Sequence, residues 1–154
     1  MRATQFGERH ELVGDSDRQL GEILAGLGDD DAARSALQDA VATTTAGFGP
    51  NHSHTRRAEI SLARFQAAHG DATAAMRLAA WGRVEGGDIE QRKAAWLARA
   101  YALQLECRGH QDSARAGLDA VLAQMQLALP EGGAVTREIE QVRAGCGPRT
   151  LARR

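Results

Sequence analysis

The residues of this chain that could carry metal chemistry are a histidine pair and two cysteines. His52 and His54 form an H-x-H pair that could in principle hold zinc, but no nearby carboxylate or cysteine completes a site. Cys107 and Cys146 have neither the number nor the spacing of a zinc site or a disulfide framework. We therefore expect a reduced protein with incidental thiols, and we predict no metal and no other cofactor.

Residues that could carry acid–base or nucleophilic chemistry have a simpler structural interpretation. Asp29, Asp30 and Asp31 follow a glycine, where carboxylates stabilise the start of a helix through its exposed N–H groups and its dipole. The chain lacks GxxxxGK[ST], GxGxxG, HExxH and GxSxG motifs. No histidine has a serine or cysteine partner suggested by spacing. We expect no catalytic residue, and the chain is predicted not to be an enzyme.

The bulk composition predicts an all-α protein. Its 154 residues allow one compact domain or one short array of repeats. Only 4% are aromatic while alanine is abundant, which favours close-packed helices over a sheet. With 19 basic and 20 acidic residues, nothing in the net charge attracts nucleic acid or an anionic membrane. No apolar run approaches the ~20 residues of a membrane span, so we expect a cytoplasmic protein.

The chain contains an internal repeat. FGERH begins at Phe6 and FGPNH at Phe48, and three longer strings also align: LGDDDAARSAL, HGDATAAMRLA and RGHQDSARAGL. In these, Gly70 follows Gly28 by 42 positions and Gly109 follows Gly70 by 39. A period in this range is typical of stacked supersecondary units.

The residues around each repeated glycine predict a helical hairpin. A small residue lies seven positions before the glycine and an alanine five positions after it, namely Gly21 and Ala33, Ala63 and Ala75, Ala102 and Ala114. The glycine ends the first helix at positive φ, and the small residues let the two helices approach closely. We predict a buried stripe continuing four positions later, at Leu37, Ala79 and Leu118.

These positions resemble the tetratricopeptide repeat, which has a small residue on its first helix, a glycine at the turn and an alanine on its second helix. The linker GFGPNHSHTRR is similar to the longer kinesin-light-chain type, in which Gly-Pro-x-His-Pro-x-Thr precedes the first helix. Gly49, Pro50, His52 and Thr55 match, and Ser53 replaces the second proline. The resemblance implies a right-handed superhelical solenoid of antiparallel helix hairpins, and the composition is compatible with a bacterial source.

The resemblance also implies a division of the chain. Residues 1–15 are expected to be a linker or the tail of an upstream repeat, and residues 16–128 three hairpins. Residues 129–147 are expected to form a capping helix and residues 148–154 a disordered tail. In each linker we expect the phenylalanine to pack under the loop and the histidine to precede the next helix. Because the family places such a linker after a complete helix, we expect that the chain was cut from a longer one.

The family's concave groove maps onto nine residues of this sequence. They are Arg18, Gln19, Glu22, Arg57, Ser61, Arg64, Trp96, Arg99 and Leu103. Four arginines beside a tryptophan suit an acidic or aromatic peptide. The alternative is that these are ordinary solvated faces, with Trp96 packing on a neighbouring unit. Recognition of a chaperone tail is not expected, because Glu22 and Trp96 stand where that clamp has asparagine and lysine.

Two functions are compatible with these features. The first is a protein-interaction module that binds a peptide or partner segment in the groove, as the C-terminal part of a larger bacterial signalling or regulatory protein. The second is a structural scaffold that forms homo-oligomers through the exposed face of its terminal repeat, with Leu20, Ile23 and Leu24 near the contact. Concentration-dependent size would discriminate the two.

Overall fold

The structure is a computed structural model that describes the backbone of residues 2–147 and the side chains of residues 12–147. Over this range the protein is all-helical, without strands, which confirms the predicted class. The helices are α1 (Arg2–Gly26), α2 (Asp30–Phe48), α3 (Ser53–Ala68), α4 (Ala72–Gly82), α5 (Ile89–Glu106), α6 (Gln111–Ala128) and α7 (Ala134–Gly145). The expected tail at 148–154 lies outside the described residues.

The chain divides into two compact units, with the boundary inside α4 between Ala74 and Ala75. In the first unit α1 packs along α2, and α3 contacts both. Its core cluster joins Ala33 and Leu37 of α2 to Phe65 of α3. The close approach predicted at Gly21 is present, because a Cβ built there would lie 2.6 Å from the side chain of Leu37.

Two of the predicted glycine turns end their helices as expected. Gly28 and Gly70 have φ of +84° and +93°, a conformation that costs glycine little and other residues more. After each glycine an aspartate begins the next helix, since Asp29 accepts from the N–H of Ala32 and Asp71 from that of Ala74. The chain therefore reverses in the same way at both turns.

The third turn is different, and the prediction of positive φ at Gly109 is wrong. Here α5 ends through Cys107, which keeps right-handed helical dihedrals (φ −60°, ψ −23°). The N–H groups of Gly109 and His110 both donate to the carbonyl of Glu106. The turn is thus closed by backbone bonds alone, without a left-handed residue.

The repeated string FGxxH has two different structures. In the second copy Gly49 and Pro50 end α2, and His52 is the N-cap of α3, as predicted. In the first copy the chain does not break, because α1 is helical from Arg2 through Gly26. Residues 2–15, expected to be a linker or the tail of an upstream repeat, are therefore part of α1, and the turn expected in the first copy is not formed there. The first copy has Glu8 where the second has Pro50, so nothing removes a backbone donor from the helix there.

The buried face of α4 is displaced by one residue from the predicted register. Ala74 and Leu78 are buried, whereas Ala75 and Ala79, the positions predicted from the repeat, are half-buried. Burying Leu78 removes more apolar area from water than burying Ala79 would. The rotation of α4 thus buries Leu78 in place of Ala79.

In the second unit α7 packs on both α5 and α6. The shared core contains Leu97 and Tyr101 from α5, Leu118 and Val121 from α6, and Ile139 from α7, all buried. The Tyr101 hydroxyl donates to Glu138 at 2.9 Å, and Arg143 pairs with Asp119 at 2.7 Å. α7 thus lies within residues 129–147, where a capping helix was expected.

The expectation of two incidental thiols is wrong, because Cys107 and Cys146 form a disulfide. Their Cα atoms are 5.3 Å apart, although the residues are separated by 39 positions in sequence. The pair forms because α5 and α7 end at the same place in the second unit. Sequence spacing alone does not indicate that two helix ends meet.

Candidate functional site

A pocket of about 880 Å³ lies against α5 in the second unit. One face of α5 supplies a stripe at helical spacing, in which Arg92, Trp96, Arg99, Leu103 and Glu106 recur every three or four positions. The other lining comes from the end of α4, the loop that follows it, and the end of α6. Those residues are Ala79, Gly82, Arg83, Val84, Glu85, Gly86, Gln124, Leu127 and Ala128.

The first turn of α5 is held by a local capping interaction. Asp88 is the N-cap of α5 and forms a capping box with Gln91: each side chain bonds to the other's backbone N–H at 2.9 Å. Two bonds at the helix start hold its first turn, on which Arg92 is carried. The position of Arg92 in the pocket lining therefore depends on a locally specified cap.

The distance between α4 and α5 is set by Gly82. A Cβ built at this residue would lie 2.7 Å from Cα of Arg99 and 2.9 Å from its backbone nitrogen. Only a residue without a side chain allows the end of α4 to approach α5 this closely. Gly82 thus determines the width of the pocket at Arg99.

The charges around the pocket favour an anionic ligand. Its lining contains three arginines, Arg83, Arg92 and Arg99, against two carboxylates, Glu85 and Glu106. Among residues 12–147 no carboxylate forms an ion pair with any of the three arginines. Guanidinium groups that have no ion-pair partner are available to bind carboxylate or phosphate in a bidentate manner.

Trp96 is a buried part of the pocket lining and contacts Arg92. Its side chain is buried, with 8% of the residue exposed, and the guanidinium carbon of Arg92 lies 5.0 Å from its ring centroid. Arg92 covers one face of the indole by a cation–π contact, so that face is not open for stacking with a ligand. Trp96 therefore positions Arg92 and contributes apolar surface to the pocket.

The nine predicted groove residues fall into two groups. Trp96, Arg99 and Leu103 all line the pocket of the second unit. The other six lie in the first unit: Arg18, Gln19, Glu22, Arg57, Ser61 and Arg64. The structure thus brings three of the predicted residues together in one cavity.

In the first unit several predicted residues bond to one another. One carboxylate oxygen of Glu22 accepts from Arg18 at 3.0 Å and from the Ser61 hydroxyl at 3.0 Å. Asp15 accepts from Arg18 at 2.6 Å and from Gln19 at 2.8 Å. The guanidinium of Arg18 is thus engaged by two carboxylates, and a peptide carboxylate would have to displace one of them. Arg57 and Arg64 on α3 are half-buried.

Two of the three arginines that line the pocket were missed by sequence reasoning. Arg92 lies one helical turn before Trp96, so extending the predicted stripe by four positions would have found it. Arg83 lies in the loop after α4, where no periodicity applies. Its position depends on how the chain crosses from α4 to α5.

The histidine pair His52 and His54 lies at the start of α3. His52 caps α3, its Nδ1 accepting from the N–H of His54 at 3.1 Å, and the ring stacks on Phe48 with centroids 4.5 Å apart. Within residues 12–147 no group of three metal-ligating side chains is arranged to hold an ion. No helix in the described part of the chain has the length and apolar character needed to cross a bilayer.

Comparison with known proteins gives no relative. No family model matches the chain, and it has no significant match to a curated protein or to a solved structure.

Proposed function

We propose that this chain is a protein-interaction module and that the pocket on α5 binds an acidic peptide segment. The observation that carries the proposal is a set of three arginines around one cavity of about 880 Å³, none of them paired with a carboxylate of the described residues. A cavity of this size accommodates a few peptide residues. Leu103 and the buried Trp96 supply apolar surface beside the cationic groups, which suits a peptide that alternates acidic and apolar side chains.

We further propose that the helices form a tetratricopeptide-like superhelix in a cytoplasmic protein of bacterial origin, within a larger signalling or regulatory protein. The support is the recurrence of small residues, turn glycines and aspartate caps in successive hairpins. In such an array the first helix of each hairpin faces the ligand. Trp96, Arg99 and Leu103 lie on the first helix of the third hairpin, in agreement with this assignment.

The test is peptide-array selection of acidic sequences by the purified chain, followed by fluorescence anisotropy with the best labelled peptide. The double variant Arg92→Glu/Arg99→Glu removes two pocket cations and should bind at least about tenfold more weakly, since charge-assisted bonds contribute ~1.5–3 kcal/mol each. The matched control is Arg77→Glu/Arg137→Glu, which makes the same charge change at residues outside the pocket. Equal affinity of both double variants would exclude the pocket as the binding site.

A second function, self-association through α1, is favoured by a separate observation. Leu20, Ile23 and Leu27 expose 49%, 60% and 77% of their surface. Leu24, which was also expected near this contact, is instead partly buried against the core cluster of the first unit. The repeat aligns Ile23 with Phe65, which is buried at 6% exposure in the core cluster with α2. We propose that a second copy of the chain covers this face of α1. Sedimentation over a range of concentrations should show a dimer, and Ile23→Asp should abolish that dimer. A wild-type chain that stays monomeric at every concentration would exclude self-association through α1.

A further inference from the structure

We propose that Cys107 is a site of thiol–disulfide exchange with low-molecular-weight thiols, and that exchange there unlatches α7 from the second unit. This reaction requires neither the pocket nor a bound peptide. Two observations support it: the different exposure of the two bonded cysteines, and the small apolar face that α7, a helix of twelve residues, buries.

The two bonded cysteines differ in exposure. Cys146 is buried, with 2% of the residue exposed, whereas Cys107 is half-buried in the turn between α5 and α6. The neighbours of Cys107 in that turn, Glu106, Arg108 and Gly109, are all exposed. Exchange requires direct approach of a thiolate to one sulfur of the bond, so access selects Cys107.

Exchange converts the disulfide between the two cysteines into a mixed disulfide on Cys107. The sulfur of the incoming thiolate forms a new S–S bond to Sγ of Cys107 while the bond from Cys107 to Cys146 breaks. The electron pair leaves on Sγ of Cys146, which then takes a proton from water. A second thiol can attack the mixed disulfide, which leaves Cys107 reduced and releases the oxidised form of the small thiol.

Because the leaving sulfur, that of Cys146, is buried, the exchange is coupled to a movement of α7. A thiolate formed in the buried position of Cys146 would be poorly solvated, and a poor leaving group slows exchange. Cys146 is the C-cap residue of α7, and its carbonyl accepts from the Gln111 side chain at 3.4 Å. Opening of this last turn exposes the sulfur to water, so exchange and loosening of the helix end promote one another.

The apolar face that α7 buries is small. Ile139 and Val142 are its buried apolar residues, and Glu138 and Arg143 bond to Tyr101 and Asp119. A helix of twelve residues is marginal in water when it stands alone. The disulfide is therefore the covalent part of a weak attachment, and its loss should expose the surface of α5 and α6 that α7 covers.

The first test uses the native oxidised chain and glutathione as the probe. Samples are quenched with acid during exchange, and peptide mapping by mass spectrometry locates the mixed disulfide. We expect the adduct on Cys107, at a rate proportional to the thiol concentration. An adduct on Cys146, or a rate that does not change with thiol concentration because global unfolding limits it, would overturn the proposal.

The second test measures the movement of α7 by hydrogen exchange. The oxidised wild-type chain is compared with the same chain reduced and then alkylated, and with Cys107→Ser and Cys146→Ser, which lack the bond. Protection in α7 should be lost in all three forms without the bond, while α5 stays protected. Unchanged protection of α7 in the two variants would contradict the unlatching.

Discussion

The Nε2 atom of His69 lies 3.1 Å from a carboxylate oxygen of Asp30, so the residue that ends α3 is joined to the first turn of α2. The other ring nitrogen, Nδ1, lies 2.8 Å from the carbonyl oxygen of Phe65. Both partners accept hydrogen bonds, so the geometry is best satisfied by a ring that is protonated on both nitrogens. The Phe65 carbonyl, and then Asp30, raise the pKa of His69 above its ordinary value.

The first prediction is that the His69 contact stabilises the protein more at acidic than at alkaline pH. Because the folded-state pKa is raised, the contribution is complete below the unfolded value of about 6.5 and is lost as pH rises through the folded value. The Tm difference between wild type and His69→Gln should be larger near about pH 5.5 than near about pH 8.5. His110→Gln, whose side chain does not cap its helix, is the control. If the Tm difference between wild type and His69→Gln were equal at both pH values, protonation of His69 would not be coupled to stability.

The second prediction concerns the covalent closure of the second unit. The cysteines are 39 positions apart, and removing a loop closure of this length should lower the free energy of unfolding by about 4 kcal/mol on the chain-entropy estimate. Urea denaturation of the wild type and of Cys107→Ser/Cys146→Ser measures this difference in the free energy of unfolding. A reducing agent should lower the midpoint of the wild type towards that of the variant and leave the variant unchanged. A wild type insensitive to reductant would contradict a bonded pair.

The third prediction tests the close approach at Gly82. Gly82→Ala places a methyl group 2.7 Å from Cα of Arg99, so α4 and α5 must separate, at a cost of about 1–3 kcal/mol. The control is Gly26→Ala, because a Cβ at Gly26 meets nothing within 4 Å. Gly26→Ala should be neutral or slightly stabilising in chemical denaturation. Equal effects of the two substitutions would mean that Gly82 does not set the helix spacing.

The fourth prediction tests the register of α4 with neighbouring residues. Ala74 is 1% exposed and Ala75 is half-buried, so Ala74→Leu should cost about 1–3 kcal/mol and Ala75→Leu clearly less. Thermal or urea unfolding of the two single variants compares them directly. A larger loss of stability for Ala75→Leu than for Ala74→Leu would support the register predicted from the repeat alone.

The repeat predicted much of the local structure, because turn glycines and caps act over a few residues. Gly28 and Gly70 are followed by Asp29 and Asp71, and each pair specifies where one helix ends and the next begins. The first FGxxH copy misled the prediction because one residue, Pro50, decides whether that string interrupts a helix. Glu8 stands in its place in the first copy and is compatible with a continuous helix.

The candidate site was only partly predictable, because its charges depend on tertiary neighbours. The resemblance to the repeat family assigned Trp96, Arg99 and Leu103 to one groove, and the structure puts all three in one pocket. Spacing could not show that Arg18 is engaged by Asp15 and Glu22, nor that Arg92 lies over the ring of Trp96. Those contacts distinguish an occupied arginine from one that can receive a ligand.

The disulfide also changes what the molecule does under mechanical load. If the two ends of the chain are pulled apart, the force passes from Cys107 to Cys146 through the sulfur atoms and bypasses the residues between them. At ~3.4 Å per residue, the bond withholds about 130 Å of contour length from extension. Reduction would release that length while α6 and α7 unravel, so the same two atoms determine how far the chain can stretch.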